Sequence, residues 1–139
     1  MDNPSLAGSI SQLFFVLRAA MDEALREIDL TSPQFTALDA LSREPGMTNA
    51  ELARRCSVTP QTMHAIVLGL ESAGLIVRQP HLTQARLLQL YLSNAGEQMA
   101  EEGRFLVTGV EARLLILMST AERNQLGNLI RQCLATLSR

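Results

Sequence analysis

Tryptophan and lysine are both missing from this 139-residue sequence, and aromatic residues make up only 4% of it. So few aromatics leave little on which unpaired bases could stack, which argues against a single-strand nucleic-acid platform. Without lysine, every fixed side-chain cation is a guanidinium, whose planar fork suits phosphate and guanine better than an ammonium does. The two cysteines, Cys56 and Cys133, form no CxxC pair and lie far apart, so the chain is no secreted disulfide framework. Long apolar runs are also lacking. The run from Leu13 to Leu17 stops at Arg18, too short for a membrane span or a signal segment. A cytoplasmic protein with no membrane partner is expected. His64 and His81 have no third ligand at metal-site spacing. No Gly-rich phosphate loop or nucleophile–base pattern occurs, so no metal, no cofactor and no enzymatic activity are expected.

What is present is enough for a core. Hydrophobic residues account for 47% of the chain, as in one ordinary folded unit. The net charge of −2 is unevenly spread. Residues 1–46 carry 3 Arg and 7 acids, residues 93–139 carry 5 of each, and residues 47–92 carry 4 Arg against 2 Glu. The middle block alone is positive, the distribution expected of a chain that presents one face to a polyanion.

Periodicity divides the chain in the same way. Ile10, Leu13, Phe14, Leu17, Met21, Ala24, Leu25 and Ile28 recur at spacings of three and four, predicting one helix over 5–29, about 37 Å long. Ser32 is expected to cap a second helix with Pro33 in its first position, ended by Glu44-Pro45-Gly46. Thr48 and Glu51 have capping-box spacing ahead of a short helix over 49–56, whose Leu52 and Ala53 face inward. Ser57-Val58 make a tight turn, and Thr59 and Pro60 open a helix that Gly74 closes. Strands are expected over 75–78 and 86–92, joined by a loop over 79–85. Ser93 caps a helix running to about Met118, and Ser119 with Glu122 caps a last helix over 120–138. The fold class is mainly α: a winged helix-turn-helix lobe over 31–92, an N-terminal dimerisation helix in 1–30, and C-terminal linker and dimerisation helices in 93–139. The apolar stripes of the end helices exceed what one lobe can cover. Ile10, Leu13, Phe14, Leu126, Leu129, Ile130, Cys133, Leu134 and Leu137 are therefore assigned to a two-fold homodimer.

Two short helices joined by a tight turn and followed by a hairpin are the elements of a helix that enters the major groove of double-stranded DNA beside a wing. Met63, Ile66, Val67 and Leu70 form the inward stripe of the second helix; Gln61, Thr62, His64, Ala65 and Leu68 lie opposite. Gln can pair with adenine and a Thr methyl can touch the thymine methyl. Thr59 and Pro60 bring the helix N-terminus, which favours phosphate. The remaining DNA-face candidates are Thr48, Arg54, Arg55, Arg78, His81, Gln84 and Arg86. Cys56 reads as a small buried hydrophobe.

The order and spacing of several short stretches resemble the multiple-antibiotic-resistance regulator (MarR) family of winged-helix transcription factors. They are Leu30 to Phe35, Thr48 to Arg55, Gln61-Thr62, Leu70 to Arg78, Ala85-Arg86 and Leu92 to Gly96, and together they span the chain. The resemblance implies a triangular homodimer with interlocked terminal helices, probing two half-sites of a pseudo-palindrome and acting as a ligand-responsive repressor. It also implies a small-molecule effector site where the first, second and fifth helices meet, near Leu17, Met21 and Phe35. Wings of the family commonly carry Asp two residues before their Arg; here that position is Gln84, and the recognition helix has no Arg. A winged-helix module that binds a protein partner is the alternative reading.

Overall fold

The computed structural model describes residues 5–84 and 86–138; Ala85, one of the family-like positions, lies outside them. Six helices and one hairpin follow in the order α1 (Leu6–Leu25), α2 (Ser32–Arg43), α3 (Asn49–Arg55), α4 (Pro60–Ser72), β1 (Ile76–Pro80), β2 (Leu88–Leu92), α5 (Asn94–Leu114) and α6 (Thr120–Leu137). Local chemistry sets most helix starts. The hydroxyls of Ser5, Thr48, Thr59, Ser93 and Ser119 each accept a backbone N–H of the first turn that follows, satisfying a donor the helix itself cannot.

Five boundaries differ from expectation. The first helix stops at Leu25 and continues as a single 3-10 turn, Arg26–Ile28, because Asp29 turns into the left-handed region at φ 57°. The cap of α2 is Thr31, one residue early. Its hydroxyl accepts from Gln34 and the Gln34 side chain accepts from Thr31 N–H, a reciprocal box that Ser32 could not form. Ser32 N–H donates instead to Asp22 Oδ1 at 2.6 Å, tying α2 to α1. Strand β1 runs on to Pro80, paired with Leu88, and β2 starts only at Leu88. A proline fits there because the strand end needs no further N–H. Finally α5 ends at Leu114. Arg123 of α6 reaches back to donate to the carbonyls of Leu115 and Met118, holding a turn where a longer helix was expected.

The core lies in the middle of the chain. Leu38 and Leu41 of α2, Leu52 of α3, Met63 and Leu70 of α4 and Leu90 of β2 are fully buried, and Leu25 of α1 joins them. A bridge between Met47 and Leu90 adds a third short segment beside the hairpin. Gly46, at φ 89°, turns the chain into it, and a side chain there would meet the Tyr91 hydroxyl. Phe35 is also core. Its ring lies so close to Gly103 of α5 that a Cβ on the glycine would stand 2.6 Å from Phe35 Cδ2.

Helix α5 anchors the lobe at its first turn. Leu75 O accepts from Ser93 N–H, and Gly96 is pressed onto the same carbonyl, where a Cβ would sit 2.1 Å from the oxygen. The obstacle is backbone and cannot rotate away. Gly96→Ala is expected to lower stability by about 3 kcal/mol. Gly69→Ala, in α4 with 3.8 Å of clearance, is expected to raise it by about 0.5–1 kcal/mol. Urea unfolding at one fixed protein concentration measures both; equal midpoints would contradict the packing described.

Candidate nucleic-acid interface

The turn between α3 and α4 fixes the candidate surface. Ser57 adopts φ 58°, and Val58 N–H donates to Ala53 O, so the chain reverses within four residues. Asn49 Nδ2 donates to Pro60 O at 3.0 Å, pinning the start of α4 to α3. Met63, Val67 and Leu70 are buried, whereas Gln61, Thr62, His64, Ala65 and Leu68 are exposed along one side of α4. The two threonines are engaged with each other: Thr59 Oγ accepts from Thr62 N–H and donates to Thr62 Oγ. Gln61 and His64 make no side-chain hydrogen bond among the described residues, which leaves their polar atoms open.

The arginines divide into tethered and untethered. Arg55 pairs with Glu44. Arg78 of β1 donates from Nε to Glu71 Oε2 of α4 at 2.7 Å, and its Nη2 is buried without a partner among the described residues. Arg78 therefore braces the wing against α4. Arg54 and Arg86 are exposed and have no ion pair among the described residues. Thr48, Asn49, Arg78 and Arg86 line one groove between the start of α3 and the wing, with Leu88 and Leu90 at its side. His81 is turned inward on its own loop, where Nδ1 accepts from the N–H groups of Thr83 and Gln84. Gln84 contributes its backbone to that loop, and its side chain is exposed.

Sequence reasoning passed over one signal. Between Glu51 and Glu97 the only carboxylate is Glu71, and Arg78 neutralises it. The exposed side of α4 and both wing strands thus carry no free negative charge, in a chain whose net charge is −2.

A cavity of about 440 Å³ opens between this lobe and α1. Phe14, Leu17, Arg18 and Met21 of α1 face Ser32, Pro33 and Thr36 of α2 across it, and Cys56, Val58, Met63 and Ile66 close the far side. Leu17 and Met21 both line it. Phe35 does not line it, because its ring is committed to Gly103, and no residue of α5 takes part. Burial pushes the Cys56 thiol up from its ordinary range, only partly opposed by the adjacent Arg55 guanidinium, so the sulfur is held protonated at neutral pH.

The residues assigned to dimerisation are largely uncovered. Ile10, Leu13 and Phe14 of α1 are exposed, as are Leu129, Ile130, Cys133, Leu134 and Leu137 of α6; Leu126 is half-buried.

Known proteins with this arrangement are regulators. A MarR family profile matches residues 28–87. The chain is 33% identical over 124 residues to the HTH-type transcriptional repressor Rv2887 of Mycobacterium tuberculosis, covering 89% of each. The chain belongs to the MarR family. The crystal structure of that mycobacterial protein in complex with salicylic acid superposes with a TM-score of 0.77 at 31% identity, covering 95% of this chain and 98% of that one. Its complex with DNA gives 0.77 at 29% identity, covering 94% and 98%. Among the described residues of this MarR-family chain, no helix is long and apolar enough to cross a membrane.

The assignment of Gln61 to base edges and of Arg86 to the DNA backbone is open to a direct test. Gln61→Ala is expected to relax preference at one position per half-site, at a cost of about 1–3 kcal/mol in discrimination, with non-specific binding nearly intact. Arg86→Ala is expected to weaken binding to all sequences and to flatten the salt slope by about two units per dimer. Binding of both variants to selected and scrambled duplexes across a salt series measures this. Equal losses on both duplexes for Gln61→Ala would reverse the assigned orientation of α4.

Proposed function

We propose that this MarR-family protein is a homodimeric transcriptional repressor that binds a pseudo-palindromic operator in double-stranded DNA and is released by a small aromatic acid. The observation that carries this reading is the carboxylate-free side of α4 and the wing, which a polyanion can approach without repulsion. The N-terminal turn of α4 offers Gln61 to base edges, Arg54 and Arg86 flank it, and the bound Thr59 hydroxyl fixes the helix start.

The dimer follows from α6. Among its described residues none is buried, and in an isolated subunit much of its apolar stripe would stay hydrated. Pairing that stripe with the exposed face of α1 from a second copy buries it and relates two copies of α4 by a two-fold axis. The ligand reading rests on the cavity. It spans α1 and the lobe, is mostly apolar, and holds one guanidinium, Arg18, suited to a carboxylate. A molecule bound there acts only through different affinities for the two lobe positions. The salicylic acid complex of the mycobacterial relative supports that ligand class. The protein is read as a cytoplasmic regulator, not an enzyme.

Binding to genomic duplex fragments across a salt series tests the reading. With two or three untethered or weakly tethered arginines per subunit, a dimer is expected to show a slope of log K against log salt of about −4 to −5. Salicylate is expected to weaken binding without changing that slope. Absence of duplex binding at low salt would favour the protein-interaction module, and retention of full affinity in saturating salicylate would remove the effector assignment.

A further inference from the structure

We infer that Leu82 is a specificity-determining residue: an apolar probe, carried by the wing, that meets the floor of the minor groove and disfavours guanine there. This rests on the DNA-binding reading and adds to it a base preference that α4 cannot supply. Leu82 is 98% exposed and is the first residue of the loop that closes the hairpin, just beyond the His81–Leu87 bond. A lone exposed leucine is ordinary on a protein surface. This one stands on a fastened backbone. His81 N–H donates to Leu87 O at 2.8 Å, Leu87 N–H donates to Gln84 O at 2.9 Å, and His81 Nδ1 accepts from the N–H groups of Thr83 and Gln84, each at 3.2 Å. Elsewhere along the wing Val77, Leu87 and Leu88 are partly exposed, Arg86 is the cation of the same loop, and residues 72–96 contain no carboxylate. Arg78 and Glu71 lock the wing to α4, and with α4 in a major groove we place the loop of the wing over the neighbouring minor groove, where an apolar side chain can press on base edges.

The chemistry of that groove decides the preference. It is about 6 Å wide, and its floor shows only acceptors at A·T pairs, whereas a G·C pair adds the guanine 2-amino group. Leucine has no acceptor for that N–H. Pressing it onto a G·C floor strips water from a donor and leaves it unsatisfied, and the amino group also fills the space the side chain would occupy. The wing tip is therefore expected over A·T pairs.

Inosine separates this from every major-groove effect, because an I·C pair keeps the major-groove face of G·C and lacks the 2-amino group. Duplexes selected from a random pool by the unmodified protein would be rebuilt with A·T, G·C or I·C at each pair flanking the α4 contacts. At the pairs under the wing, the unmodified dimer is expected to bind the A·T and I·C duplexes about tenfold more tightly than the G·C duplex. Leu82→Ala is expected to bind all three equally, with an unchanged salt slope and an unchanged urea midpoint. Leu82→Asn, whose amide oxygen accepts from the amino group, is expected to favour G·C. The inference is overturned if the unmodified protein treats I·C as it treats G·C at every flanking pair, or if Leu82→Ala keeps the discrimination. A protein that binds no duplex at all overturns it together with the reading beneath it, a result the selection step reveals first.

Discussion

Helix α6 has eighteen residues and, among those described, no buried side chain. Leu134 is 60% exposed and Leu137 is 85% exposed, although both lie on an apolar stripe. Each fully exposed leucine forgoes about 1.5–3 kcal/mol that burial would supply. A capped helix with a reciprocal Ser119–Glu122 box does not arise from a sequence that leaves it bare; it arises where a second surface covers it. The proposed function depends on that cover. In that proposal the two-fold pairing of end helices places two lobes at one spacing, on which DNA binding in turn depends.

Within one subunit the lobe is built to move as a piece. Asn49 ties α3 to the first residue of α4, and Glu71 ties α4 to the wing through Arg78. Helix α1 joins the lobe at its C-terminal end, where Leu25 enters the core and Asp22 accepts from Ser32 N–H, and beside that bond the 440 Å³ cavity opens. Leu17 and Met21 belong to the helix assigned to the dimer, whereas Thr36, Met63 and Ile66 belong to the lobe. A molecule filling the space touches both bodies. In the proposed mechanism it acts as a spacer between them, favouring lobe positions that two adjacent major grooves cannot accept.

Features governed by neighbours in sequence were legible without coordinates. The caps at Thr48, Thr59, Ser93 and Ser119 need only a hydroxyl three residues before an N–H, and the inward stripe of α4 needs only helical spacing. Ser32 was the expected cap of α2; Thr31 takes the position because the Gln34 side chain completes a reciprocal box with it. What escaped the sequence depends on long-range partners. The reach of β1 to Pro80 is set by Leu88 across the hairpin, and the end of α5 is set by Arg123 from the following helix. Phe35 fits a helical stripe equally well in the core or in the cavity, and only the missing side chain at Gly103 shows which. Of the arginines assigned to the DNA face, the sequence could not distinguish Arg86, exposed, from Arg78, whose partner lies on another element. The run without carboxylates can be read in the sequence, whereas its concentration on one side of α4 and the wing needs the fold.

The central claim is that this chain is completed by a second copy of itself through α1 and α6. Sedimentation equilibrium of the unmodified protein at micromolar concentration tests it most directly. The account predicts a single species of twice the 15.2 kDa chain mass. A folded, soluble species at the mass of one chain, with α6 helical and its leucines in water, would contradict it.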